Sequence, residues 1–278
     1  MLEIRGLCKT LPSGKKLLED VGFRVEAGEF VGVLGSSGAG KSLTLRCVLG
    51  LTKPTAGDII FTDNKGRTHQ LTQVKGKRLR YARMKMGVIF QGSNLVRRLT
   101  VVENVMLGRL ARIAPWRSWL YGFTDREARH AMRALDHVHL GAYAGRLTGS
   151  LSGGEMQRVA IARAINQSPA LYLADEPVSS LDPKNARGIM KILAPLAKDK
   201  PVLGVFHQPE LVAAFCTRMV ALREGRIVYD GPVSRDPQLL RDIYGDELEA
   251  VTNERLQALD DDVDHPLDAQ FAEPAPRH

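Results

Sequence analysis

Phe30-Val31-Gly32-Val33-Leu34-Gly35-Ser36-Ser37-Gly38-Ala39-Gly40-Lys41-Ser42 is a short apolar run feeding a glycine loop that ends in lysine and serine. The run is almost unbroken in apolar residues, which predicts a parallel strand buried on both faces. Leu43 to Leu49 then offer an apolar face at helical spacing. Strand, glycine loop and helix, in that order, turn Gly35–Ser42 into a phosphate cradle of the form G-x-x-x-x-G-K-[ST]. Backbone N–H groups of Gly35, Ser36, Ser37, Gly38, Ala39 and Gly40 can then turn inward, and the helix adds its positive end. Lys41 suits the β- and γ-phosphates and Ser42 suits Mg²⁺.

Further along, Leu171-Tyr172-Leu173-Ala174-Asp175-Glu176 is an apolar strand ending in two carboxylates, with Pro177 to stop it. Alternation along a strand would aim the two differently and give them different work. Asp175 fits a metal-binding carboxylate, and Glu176 a general base for an attacking water. Gln91 follows the run Val88-Ile89-Phe90, and His207 ends Val202 to Phe206. Gln91 can reach a metal or water without adding charge. His207 can hydrogen-bond a γ-phosphate and position the water. Either residue alone would more often be structural; the shared strand-end register supports function.

Leu151-Ser152-Gly153-Gly154-Glu155-Met156-Gln157-Arg158 carries a second anion-site signal. A serine and two glycines at a helix start present a hydroxyl, open N–H groups and the helix dipole. Ser152 also serves as an ordinary N-cap. Two successive glycines weaken a first turn, and close approach of a ligand would explain them. Two phosphate sites but one cradle suggest sites completed between two copies.

The 278 residues suffice for a substantial core, and no apolar run approaches the length needed to cross a bilayer. The start, MLEIRGLCKT, lacks the apolar core of a secretion signal. Cys8, Cys47 and Cys216 are widely spaced and read as free thiols in a reducing compartment. Net charge is +8, yet Val251–His278 hold seven acids against two arginines, leaving about +13 on residues 1–250. Charge alone does not choose among nucleic acid, anionic membrane and nucleotide. The basic stretch from Lys75 to Lys85 is ordinarily a solvated helix face, with phosphate or lipid contact the other reading.

Leu2–Ile4, Val21–Val25, Gly57–Phe61 and Gly87–Phe90 read as strands. From Asn94 to about Gln167 the character is helical. There Thr124-Asp125-Arg126-Glu127 fits a capping box, and Ala128, Met132, Leu135 and His139 recur at helical spacing. Strands return at Ala170–Ala174 and Pro201–Phe206. A helical block inserted into one α/β sheet is the economical architecture. Past Tyr244 the composition shifts to acid, Pro and Ala, which predicts a flexible tail over 246–278.

In this order the motifs resemble the nucleotide-binding subunit of ABC transporters. Gly35–Ser42 corresponds to Walker A, Gln91 to the Q-loop and Leu151–Arg158 to the signature. Leu171–Glu176 corresponds to Walker B, Ser179-Ser180-Leu181-Asp182 to the D-loop, and His207 to the switch histidine. The resemblance spans about residues 1–235. It implies an α/β fold: a P-loop NTPase with a RecA-like core, an N-terminal antiparallel β subdomain and an α-helical subdomain inserted at about 94–167. One nucleotide-binding domain over 1–245 follows. It also implies Mg·ATP held by Gly35–Ser42, with Ser42, Gln91 and Asp175 as metal ligands. Glu176, His207 and Gln91 would be catalytic, and Ser152, Gly153, Gly154 and Asp182 would act on the nucleotide across a head-to-tail homodimer.

Phe90–Val105, Pro115-Trp116-Arg117-Ser118, Gly122-Phe123-Thr124 and His207-Gln208 are similar to the corresponding stretches of phosphonate-importer ATPases. Leu11 stands where the family usually has an adenine-stacking aromatic. Ser36, Leu43 and Glu155-Met156 are further departures that remove no ligand. The resemblance implies an ATPase on the cytoplasmic face of a bacterial inner membrane, coupled to integral permease subunits. A periplasmic substrate-binding protein would be an indirect partner, the cargo a phosphonate, phosphite or hypophosphite, and no nucleic acid is expected. The other reading is a non-transport ABC ATPase of a soluble assembly such as the phosphonate-lyase complex. Truncation after Ala250 is expected to leave ATPase activity intact.

Overall fold

The computed structural model describes residues 1–112 and 124–245. The stretches Pro115–Ser118 and Gly122–Phe123, and the acidic tail from 246 on, lie outside the described residues.

Two sheets organise the chain. Strands β1 (Leu2–Thr10), β2 (Lys16–Val25), β4 (Ala56–Thr62) and β5 (Thr68–Gln70) form an antiparallel sheet in the order β2-β1-β4-β5. The larger sheet runs β10-β9-β3-β8-β7-β6. It comprises β3 (Phe30–Leu34), β6 (Met86–Ile89), β7 (Leu171–Asp175), β8 (Val202–Val205), β9 (Arg218–Arg223) and β10 (Arg226–Pro232). Its strands are parallel except for β10, which pairs antiparallel with β9.

Both faces of the large sheet are covered, which explains its unbroken apolar runs. Phe30 and Leu34 of β3 and Tyr172 and Ala174 of β7 enter one core with the helical block. Val31, Val33, Leu171 and Leu173 enter the other with the antiparallel sheet. Among the described residues, eight α-helices pack around these sheets: α1 (Lys41–Val48), α2 (Gly76–Arg83), α3 (Val101–Met106), α4 (Asp125–His137), α5 (Gly153–Asn166), α6 (Pro183–Leu193), α7 (Pro209–Phe215) and α8 (Pro237–Tyr244). The helical block, α3 to α5, is inserted between β6 and β7.

Local chemistry sets the helix starts. Thr100, Thr124 and Ser152 each form a reciprocal capping box with the glutamate three residues on, opening α3, α4 and α5; each cap contributes about 1 kcal/mol. The predicted box at Thr124 is therefore present, but the apolar stripe differs. Helix α4 ends at His137 and buries Ala131, Ala134 and Leu135, while His139 lies beyond it at a φ of 59°. In α2, Lys75, Lys77, Arg78 and Arg80 flank or face solvent, while Arg83 reaches the carbonyls of Leu49 and Gly50 at 2.6 and 2.9 Å. Cys47 and Cys216 are buried and Cys8 is half-buried, all as free thiols. Burial pushes the Cys47 thiol up to about 11.

What matters for the site is register. Ile89 lies opposite Ala174, and Val205 lies opposite both Asp175 and Val33. The carboxyl ends of β3, β6, β7 and β8 therefore finish along one line, the edge at which open parallel sheets bind ligands. Gly35, Gln91, Glu176 and His207 stand within three residues of that line.

Candidate nucleotide site

Beyond β3 the chain wraps from Gly35 to Gly40 and enters α1 through Gly40, its left-handed N-cap. No side chain caps the helix and no acid occupies its first turn, so its amide dipoles face outward as an anion site. Gly35 has a φ of 145°, and a Cβ there would lie 2.1 Å from the Leu222 carbonyl oxygen. Gly38, at 77°, has open space where a Cβ would project. The first glycine thus serves the chain's own packing, and the second leaves the loop mouth clear. Lys41 is buried, and its ammonium donates to the carbonyls of Gly35 and Ser36 at 2.6 and 2.8 Å. The lysine is thereby drawn over its own loop.

Ser42 donates to Asp175 Oδ1 at 2.8 Å, joining the start of α1 to the end of β7. A hydroxyl and a carboxylate oxygen this close are the hard donors that Mg²⁺ prefers, usually with water and phosphate completing the shell. The pair fits that ion. Glu176 has left the strand: β7 ends at Asp175, and Glu176 takes a φ of 49°. The two carboxylates diverge through this backbone turn, so strand alternation is not the reason and Pro177 does not end the strand. A left-handed glutamate costs about 1–2 kcal/mol. The turn directs its carboxylate to His207, whose Nε2 lies 2.6 Å from Oε1. A cavity of 230 Å³ beside them is lined by Glu176, Ser179, His207 and Gln208, which is room for several waters.

Gln91 reaches the same place from β6. Its amide donates to Ser179 Oγ at 3.2 Å, and that hydroxyl donates to the Glu176 carbonyl at 3.3 Å. Asp182 caps α6, accepting from the Asn185 backbone at 3.0 Å and its side-chain amide at 2.6 Å. These bonds, the backbone N–H foremost, hold its carboxyl below the usual range.

At the other helix start, the exposed Ser152 hydroxyl donates to Glu155 at 2.8 Å, while the Glu155 N–H reaches back to it at 3.4 Å. The Ser152 N–H and hydroxyl together hold the Glu155 carboxyl below its ordinary value. The two glycines that follow differ. A Cβ on Gly154 would come within 3.1 Å of Asn185 Oδ1, so the chain's own packing is tight at that glycine. Around Gly153 the nearest atom to a Cβ would be Leu181 Cδ2 at 4.0 Å, and nothing inside the chain demands a glycine there. Leu11, in the turn between β1 and β2, is exposed.

Three of the predicted residues, Glu176, His207 and Gln91, converge through hydrogen bonds, and Ser42 meets Asp175. Two contributors were not singled out from the sequence. Asn185 lies beneath Gly154. Arg163, which reads only as part of an amphipathic helix, bonds the carbonyls of Ser93 and Asn94. Neither has a local sequence signal, because each meets a segment distant in sequence.

The family model described as "ABC transporter" matches residues 18–179, more than half of the chain. The chain belongs to the ABC transporter family. It is 42% identical over 250 residues to the phosphonates import ATP-binding protein PhnC 1 of Rhodopseudomonas palustris (strain HaA2), covering 89% of this chain and 88% of that protein. To the PhnC of Cupriavidus pinatubonensis it is 40% identical over 268 residues, covering 95% of each. Among solved structures, a dimeric ATP-binding cassette in a post-hydrolysis state, bound to ADP and Pi, superposes with a TM-score of 0.71 at 31% identity. That match covers 84% of this chain and 99% of the other. The expected fold is thus borne out, and the chain is an ATPase of the ABC type.

Proposed function

We propose that this ATPase drives import of phosphonates or related phosphorus oxyanions, and that two copies close head to tail around two ATP molecules. The hydrogen-bonded pair of Glu176 and His207, set beside the Ser42–Asp175 pair, is the observation that carries hydrolysis. Lys41 and the Gly35–Ser42 backbone bind the triphosphate. Ser42, Asp175 and Gln91 hold Mg²⁺, which when bound neutralises charge on the phosphates and orients them. Glu176 accepts the proton of the attacking water as its oxygen bonds to the γ-phosphorus and the bond to ADP breaks. His207 keeps Glu176 aimed and bonds the γ-phosphate. Ser152, Gly153 and Gly154 of one copy meet the ATP of the other, and close approach of that ATP accounts for a glycine at 153, where the chain itself leaves space. Asp182 sets the start of α6 beside that contact.

Residues 1–245 form the nucleotide-binding domain on this reading, with 246–278 dispensable for hydrolysis. No helix among the described residues is long and apolar enough to cross a membrane, so attachment to the cytoplasmic face runs through a permease. A groove of 860 Å³ with an apolar floor that includes Met86, Val88 and Phe90 opens between β6 and the helical block, and it suits a short permease helix. The resemblance to phosphonate importers over nearly the whole chain supports the cargo class. Cells deleted for the gene and supplied with a phosphonate as sole phosphorus source test it. Growth should return with the wild type and not with Lys41→Ala. Restored growth on phosphonate without any co-purifying integral membrane protein would instead favour a soluble phosphonate-processing assembly.

A further inference from the structure

The segment after β6 holds an expensive backbone. Gly92, Ser93 and Asn94 have φ values of 79°, 55° and 47°, and each left-handed non-glycine residue costs about 1–3 kcal/mol. Such a turn persists only where its surroundings hold it. Upstream it is tied to β6. Downstream, the fully buried Asn104 accepts from Val96 N–H and donates to Val96 O, both at 2.9 Å. Between these anchors, Arg163 of α5 donates Nη1 to the Asn94 carbonyl at 2.7 Å and Nη2 to the Ser93 carbonyl at 2.9 Å.

The choice of group is informative. Burial lowers the pKa of this arginine, and among the described residues its hydrogen-bond partners are carbonyls rather than a carboxylate. A partly buried cation used in this way fixes geometry, because the guanidinium presents its two N–H donors in one rigid plane, whereas the donors of an ammonium rotate freely. Gln91 lies two residues before the clamped pair and continues through Ser179 to the Glu176 carbonyl. Release of Ser93 and Asn94 would let Gly92 swing, and Gln91 with it.

We propose that Arg163 is a positioning residue for ATP hydrolysis, holding the Ser93–Asn94 turn so that Gln91 stands at the metal and the attacking water. The inference rests on the ATPase reading of the site. Arg163 bonds the Ser93 and Asn94 carbonyls rather than the strand-end cluster itself, and it acts on hydrolysis through Gln91.

A double-mutant cycle in the full chain tests this. Wild type, Arg163→Ala, Gln91→Ala and the double variant are compared for kcat, KM for ATP and the Mg²⁺ concentration giving half-maximal rate. Groups that orient a metal ligand are worth about 10- to 100-fold, so Arg163→Ala should lower kcat at least about 10-fold with KM for ATP unchanged. The Mg²⁺ requirement should rise in parallel. In the Gln91→Ala background, Arg163→Ala should cost no more than about twofold, since residues acting as one unit are not additive. Hydrogen exchange of the nucleotide-free protein gives a readout independent of activity. Amides from Gln91 to Val96 should exchange faster in Arg163→Ala while those of β7 do not. Multiplying losses, or an unchanged kcat, would overturn the inference. If Arg163→Ala fails to fold, Arg163→Lys decides, because it keeps charge and stem without the fork. A several-fold fall in kcat, absent in the Gln91→Ala background, supports the inference, and a wild-type kcat overturns it. A wild-type protein that hydrolyses no ATP would instead sink the ATPase reading itself.

Discussion

Gly35 and Gly38 belong to one loop yet predict opposite failures. An alanine at Gly35 would place its Cβ 2.1 Å from the Leu222 carbonyl oxygen and 3.2 Å from Ala39 Cβ, in a backbone at φ 145°. Neither neighbour is a flexible side-chain end, so β3 and β9 must move. Overpacking plus the backbone penalty makes a loss of about 3 kcal/mol or more. At Gly38 a Cβ would meet nothing within 4 Å, so only the left-handed backbone is penalised. That is about 1–2 kcal/mol, or a Tm lower by about 2–8 °C for a chain of this size. The methyl group would, however, stand at the mouth of the phosphate cradle. Losing one charge-assisted N–H bond to phosphate costs about 1.5–3 kcal/mol, a factor of roughly 10 to 150 in Kd. Thermal unfolding and titration with a fluorescent ATP analogue read the two quantities separately. Gly38→Ala should fold and bind poorly, whereas Gly35→Ala should fold poorly. Wild-type affinity in Gly38→Ala, or equal stability of the two variants, would refute the division.

Other outcomes follow from the same geometry. His207→Ala should lower hydrolysis about 100-fold, with ATP affinity in equilibrium titration unchanged; a parallel loss of affinity would assign His207 to binding. Gly153→Ala should be at least as stable as the wild type in urea unfolding, since alanine is the better helix former, yet lose most ATPase activity. Gly154→Ala should be less stable than Gly153→Ala by up to about 1 kcal/mol, because a Cβ there meets Asn185 Oδ1 at 3.1 Å, and equal stability of the two would contradict the packing. Glu155, whose carboxyl is held low by Ser152, contributes stability above its unfolded value and loses it as pH falls through the folded one. The advantage of wild type over Glu155→Ala, under about 1 kcal/mol for so exposed a group, should therefore be full at pH 6 to 7. It should shrink below about pH 4.3. An advantage that grew on acidification would reverse the sign.

The strand-end chemistry was legible because buried parallel strands write themselves as short apolar runs, and each run here ends in a reactive residue. Pairing of those runs into one register lies beyond any local pattern, yet it is what brings Gln91, Glu176 and His207 together. The left-handed turn at Glu176 was not legible, since glutamate carries no signal for positive φ. Asn94 does favour positive φ, but nothing local shows that the Ser93–Asn94 backbone is held by Arg163 from about 70 residues away. Other elements carry local signals of their own. Asp182-Pro183 is an N-cap followed by proline at the first turn of α6, and Glu224-Gly225 joins the two strands of the β9–β10 hairpin. The glycine pair after Ser152 looks like one device in the sequence, whereas the surroundings of the two differ: a Cβ at Gly154 would meet Asn185, and one at Gly153 would meet little.

On the proposed mechanism, ATP is held between two copies and cleaved with Glu176 as base. Sedimentation of the Glu176→Gln variant with Mg·ATP tests it most directly. Unhydrolysed ATP should hold the 30.6 kDa chain as a stable dimer, and the chain should sediment as a monomer when nucleotide is left out. A variant that stays monomeric with ATP bound, or that hydrolyses ATP at the wild-type rate, would contradict it.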